Sequence, residues 1–393
     1  MEQYQTMKTH LLAGAVLCLS CLGAVNASEL STLASNMKPG EWAELTTLGF
    51  DNGNLLYTTR NSPGDSVSTS NHIIDFAESA AWDPTTKQFM FLGAPHGNAW
   101  KFIIYDEATN SWREGPFSHP CMAYGGAIVT SDPNATYCGG HAFDWNAFDP
   151  ASGRFFHTYW KFGPELDIYK PSTNQWSRSV TPPQAIGDLL GGYNYRYGAM
   201  EWFPEMNALL TLVEGKILRI NVDTNTWEEW PTKYQMGGYH NVMEYSAAQK
   251  VVVFGGGNDW AETVAATPNS NDLYRMDADG TVTKLTNVPF YIRVTDQETG
   301  GHPGTIITAD PVTGNFIILN KQKQFYELDA ARNSWRQLTT VPPINSHAVA
   351  APISNHGVIM YVTKNKVWLY KHSDPCLDCP VPTAPTGVTI TVN

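Results

Sequence analysis

His119, His141, Tyr195, Arg196 and Tyr239 follow one another along the chain and are of the types that acid–base chemistry on an anionic substrate uses. An imidazole or a phenol can move a proton, and a guanidinium can hold a carboxylate through paired hydrogen bonds. Together they suit β-elimination on a uronic-acid sugar. A positive group neutralises the carboxylate, a base takes the neighbouring carbon-bound proton, and an acid protonates the leaving oxygen. A second set, His72 (with Asp75 close by), His240, His302 and His347, would contact substrate. His240, His302 and His347 would also serve as ligands to a divalent ion, either structural or a Lewis acid, although no Glu-x-x-His or His-x-His spacing marks a metal site within one segment. For each His there is a plainer alternative, in which the ring satisfies backbone groups of a neighbouring element. Glu78, Glu201, Glu244 and Glu298 stand out as no particular glycosidase pair.

These residues are far apart in sequence, so only a repeating architecture can gather them. Two short patterns recur in alternation. One is a turn before an apolar strand: Trp82-Asp83-Pro84 before Phe89-Met90-Phe91, Phe148-Asp149-Pro150 before Phe155-Phe156, Trp202-Phe203-Pro204 before Leu209-Leu210, and Ala309-Asp310-Pro311 before Phe316-Ile317-Ile318. The other is a strand, a polar turn and a Trp that opens the next strand, at Asp106 to Trp112, Lys170 to Trp176, Val222 to Trp227 and Asp329 to Trp335. Asn110, Asn174, Asn225 and Asn333 each stand two residues before that Trp, where Asn can take the left-handed backbone of a tight hairpin. Each unit therefore reads as a four-stranded antiparallel sheet, and the whole as an all-β propeller of six blades, with room for a seventh in 51–71 or in the insertion between Cys121 and Gly140. Val367-Trp368-Leu369-Tyr370 is a third strand without a fourth, and Glu41-Trp42-Ala43-Glu44 a fourth strand without the others. Pairing the two closes the ring and removes its edges. The loops entering successive blades then share one face, which is where the His, Tyr and Arg residues collect.

Lys8 and His10 precede an apolar run from Leu11 to Val25 that ends Val25-Asn26-Ala27, the pattern of a signal peptide over residues 1–27. The run is too short for a membrane span, so a secreted or periplasmic protein without a membrane anchor is expected, working as a monomer. Residues 28–373 form the propeller and 374–393 a Cys- and Pro-rich tail. In an oxidising compartment Cys121 with Cys138, and Cys376 with Cys379, read as disulfides rather than zinc ligands. A net charge of −12 excludes nucleic acid as a default partner, because long-range repulsion would oppose it and no Lys/Arg-rich run offsets it.

The paired glycines Gly139-Gly140 and Gly255-Gly256, with the spaced Trp residues, resemble the kelch motif of galactose-oxidase-like propellers. The copper chemistry of that family needs a Tyr joined to a Cys, and neither Cys121 nor Cys138 sits in a matching context. The chain order of a His pair across an insertion, then an Arg, then a Tyr is similar to that of propeller-fold ulvan lyases. That resemblance implies a polysaccharide lyase acting on a uronic-acid polysaccharide or oligosaccharide, with Arg196 on the carboxylate, Tyr195 or Tyr239 moving the proton and His119 and His141 sharing acid–base work. Propellers also serve as non-catalytic carbohydrate-binding modules and as sugar mutarotases or epimerases, for which the aromatic-rich mouth is equally suited.

Overall fold

The computed structural model describes residues 27–50, 72–94, 100–116, 144–158, 166–180, 197–213, 215–237, 240–257, 271–288 and 304–374, with a few short or single positions between them. Six four-stranded antiparallel sheets form the blades of a propeller. Blade 1 comprises Ala81–Asp83, Gln88–Gly93, Lys101–Asp106 and Ser111–Glu114, and blades 2 to 5 repeat this up-and-down order. The first strands of successive blades contact one another in a closed ring, 1 to 6 and back to 1, and so line the axis.

Blade 6 is assembled from both ends of the propeller. Its first three strands are Ala348–Ile353, Val358–Thr363 and Val367–Lys371, and its fourth is Glu41–Glu44, with Trp42 opposite Tyr370. A short helix, Glu29–Asn36, precedes that strand, an element the strand periodicity of the sequence did not announce. Ser28 caps it by accepting the Ser31 N–H at 3.0 Å, and the Ser28 hydroxyl donates to Glu107 at 2.5 Å. Glu107 is buried and also meets His356 Nε2 at 3.0 Å, so one carboxylate joins the N-terminal segment to blades 1 and 6.

The repeated motifs do the work their residue types require. Asn110, Asn174, Asn225 and Asn333 all have positive φ, between 48° and 53°. Asp83, Asp149 and Asp310 cap their own turns by accepting the N–H groups of Thr85, Ala151 and Thr313. The Trp after each Asn turn packs between blades: Trp176 meets Phe102 of blade 1 at 5.0 Å and Phe155 of blade 2 at 6.0 Å. Its ring N–H is also used. Trp112, Trp176 and Trp335 donate to Thr47, Pro116 and Thr286, each in the segment leaving the preceding blade. A Trp serves where Phe would not, because the indole fills the gap and its edge ties off a loop carbonyl or hydroxyl.

Polar contacts also lock blades 5 and 6. Burial pushes the Glu327 carboxyl up, but hydrogen bonds from His372, Asn315 and Arg336 more than offset it and bring it down to about 2. A carboxylate held below its unfolded value stabilises the fold above that value, and the contribution disappears as pH falls from about 4.3. Glu327→Gln is therefore expected to cost about 2 kcal/mol at neutral pH, discounted because the Arg336 partner is largely exposed, and to cost almost nothing near pH 2. Thermal melts of the two proteins across that range measure the difference.

Candidate functional site

Two places in the ring concentrate polar groups. The first lies on the face formed by blade-entry loops and by the hairpins between second and third strands. Here Lys323 of blade 5, Asn345 and His347 at the entry of blade 6, and Lys364, Lys366 and Trp368 around the last hairpin of blade 6 line a cavity of about 440 Å³. Asp75, in the entry segment of blade 1, supports two of these side chains from behind. It is 1% exposed, and its Oδ1 lies 2.7 Å from His347 Nε2 and 2.9 Å from Lys364 Nζ.

The local fold sets this geometry. Ile73–Phe76 forms a single 3-10 turn that places Asp75 in the first turn. The Asn345 side chain accepts the His347 N–H at 3.0 Å, which fixes the loop just before the strand begins at Ala348. A carboxylate accepting from Nε2 sets the tautomer and makes Nδ1 the basic nitrogen of His347. Lys366 is held by Glu44 at 2.6 Å, with its ammonium 5.6 Å from the centre of the Trp368 ring. Lys323, Lys364 and Lys366 thus bring a lysine patch to the cavity of a chain of net charge −12, with Lys364 paired to Asp75 and Lys366 to Glu44. The patch can hold an anionic group, the Trp ring can pack on a sugar face, and the imidazole can take a proton.

The second concentration lines the axis. Glu78, Asp144, Glu201 and Glu244 lie on or beside the first strands of blades 1 to 4. Asp144 is within electrostatic range of the other three. Burial brings the Asp144 carboxyl up to about 7 despite hydrogen bonds from the Met243 N–H and Ser79. Burial, and then the neighbouring carboxylates, push Glu78 and Glu201 well above the usual range, and burial likewise raises Glu244. Three of the four also tie blades together: Asp144 accepts the Met243 N–H at 2.7 Å, Glu201 the Tyr245 N–H, and Glu244 the Ala309 N–H at 2.9 Å. Among the described residues, no three His, Cys, Asp or Glu side chains converge as a metal site requires.

Of the residues singled out from sequence, the structure brings His347 and Asp75 together. His72 sits beside them in chain order at the entry of blade 1, its ring edge-on to Tyr57 at 5.4 Å. His240 enters blade 4 with φ 59° and is 3% exposed, a buried position rather than an open one. His119, His141, Tyr195, Arg196, Tyr239 and His302 lie outside the described residues, as do Cys121, Cys138, Cys376, Cys379 and Glu298. The lysines were not visible as a group, since they come from hairpins of two blades. Glu201 and Glu244 did carry a signal: both stand three residues before the turn position held by Pro204 and Ala247, the same register of successive blades.

No protein-family model and no curated protein matches this chain. Among solved structures, a protein of unknown function from Bacteroides thetaiotaomicron aligns with a TM-score of 0.51 at 11% identity, covering 84% of this chain and 76% of that one. A streptogramin B lyase aligns at 0.43 and 13% identity, over 72% of this chain and 76% of the other. A chain of the mitotic checkpoint complex aligns at 0.47 and 8%, over 81% and 93%. The first likeness concerns the fold alone, and with the six closed sheets it establishes this chain as a six-bladed β-propeller.

Proposed function

We propose that this propeller is secreted and acts on an acidic polysaccharide, which it binds across the entry-loop face and cleaves by β-elimination. The observation that carries the reading is the His347–Asp75–Lys364 constellation beside a cavity lined by two further lysines and Trp368. In a strongly acidic protein, such a patch favours an anionic ligand where neutral sugars would need none. The His347 imidazole takes the proton next to the uronate carboxylate. The electron pair forms the ring double bond, the bond to the leaving sugar oxygen breaks, and that oxygen takes the proton back from the imidazolium, which restores the base. Lysine ammonium groups hold the carboxylate while negative charge develops on it. Arg196, with Tyr195, Tyr239, His119 and His141, belongs to the same reading through the resemblance to propeller-fold lyases. The kelch-like repeat is compatible with it and adds no chemistry.

Incubating the purified protein with a panel of polyuronates, with and without chelator, tests this through the ultraviolet absorbance of the unsaturated product. A rise that Arg196→Ala abolishes is expected. Saturable binding of the same polymers without any rise would make the protein a carbohydrate-binding module instead, and neither binding nor product would end the reading.

A further inference from the structure

The signal-peptide pattern ends at Ala27, directly before the N-cap of the Glu29–Asn36 helix. That N-cap, Ser28, donates its hydroxyl to Oε1 of Glu107 at 2.5 Å. Glu107 is 2% exposed. Its other partners, His356 Nε2 at 3.0 Å and Lys87 Nζ at 3.9 Å, meet the same oxygen, and the Lys87 side chain is half exposed. Oε2 is buried with no donor among the described residues. A buried acceptor left so is costly, and a half-exposed lysine at that distance offsets little of it. Three bonds separate the Ser28 nitrogen from its hydroxyl oxygen, so that nitrogen lies within about 6 Å of Oε1. The third helical position is Ser31, not the Glu or Gln that would turn back to the N-cap nitrogen.

We propose that removal of residues 1–27 creates an α-ammonium on Ser28 that pairs with Glu107 and completes the closure of the propeller. This rests on the secreted reading and is independent of the elimination chemistry. As an amide, the Ser28 nitrogen has one N–H and no charge; freed, it has three donors and a positive charge for the unused oxygen. The helix dipole opposes a cation at this end, so the ammonium needs a carboxylate at hand, and Glu107 supplies it. The pair fastens the segment that carries the fourth strand of blade 6 to blade 1. Leu30, Ala34 and Met37 of that segment already pack into the core that residues of both blades share.

The charged and titratable groups around the pair are His356 of blade 6, Lys87, Asp106 and Tyr105 of blade 1, and Glu29 of the helix. An amine that gains a carboxylate partner has its pKa raised on folding. The added stability is therefore fully present below the unfolded value of about 8 and is lost as pH rises through the folded value.

Thermal melts of two preparations of the chain from Ser28 onward, one with a free and one with an acetylated amino group, test the pair. The free-amine protein is expected to melt about 2 °C higher at pH 7 and no higher at pH 10. The helix dipole alone predicts the opposite sign at pH 7, because acetylation removes a cation from the N-terminal end. His356, Lys87, Asp106, Tyr105 and Glu29 are common to both preparations, so their titrations cancel in the difference. In a Glu107→Gln background the free amine should confer no advantage at either pH, a comparison that holds even where that variant is itself less stable. Equal melting at pH 7, a more stable acetylated form, or an advantage that survives in Glu107→Gln or at pH 10 would each overturn the proposal. The intact mass of protein secreted from the full-length chain tests the reading beneath it. A first residue other than Ser28 removes that reading and the proposal together, whereas Ser28 first with equal melting removes the proposal alone.

Discussion

His347→Gln is expected to lower the rate of polyuronate elimination by about 10²–10⁴-fold, the range over which a positioned general base contributes. Substrate binding should change little, because the lysines and Trp368 remain. Asp75→Asn tests the arrangement from the other side. It is a positioning residue, acting through His347 by fixing the tautomer and through Lys364 by holding its ammonium group. An amide in its place can donate to the ring and reverse the tautomer, so kcat should fall with KM nearly unchanged and the pH profile should shift. A merely structural Asp75 would instead lower Tm and leave the pH profile where it was. If His347→Gln retains full rate, another group moves the proton, and Tyr195 and Arg196 become the residues to vary next.

The second large effect concerns closure of the ring. Trp42 lies 4.7 Å from Tyr370, 5.1 Å from Tyr361 and 5.6 Å from Phe325, so one side chain joins the last strand of blade 6 to its own blade and to blade 5. Trp42→Ala should cost about 3 kcal/mol, at the lower end for a large aromatic because the ring is not fully buried. Beginning the chain after Leu45 removes the whole strand. Val367–Lys371 then becomes an open edge with unpaired backbone groups, which invites pairing between molecules. Loss of a single cooperative melt, together with aggregation in sedimentation, is expected of the truncated protein. A truncated chain that melts like the full one would show that the contacts among first strands hold the ring without closure.

The sequence by itself determined the architecture, because the features that encode blades are local. Asn110, Asn174, Asn225 and Asn333, each two residues before a Trp, all take the left-handed turn, and Asp83, Asp149 and Asp310, each before a Pro, cap their own hairpins. Even the long-range pairing of Glu41–Glu44 with Val367–Lys371 was legible, since each strand lacked partners nearer in the chain and an unpaired edge is costly. Assignment of chemistry behaved differently. Imidazoles at blade entries could be counted, but the hydrogen bond between His347 and Asp75 joins residues at opposite ends of the propeller, and no spacing records it. Equally invisible was that His240 turns inward, or that Lys323, Lys364 and Lys366 line one cavity. Glu78 and Asp144 look like ordinary surface acids in sequence, and only closing the ring removes them from water. A circular fold brings one or two residues from each blade to a common axis, so its sites are written in relations between blades, which only the tertiary structure decides.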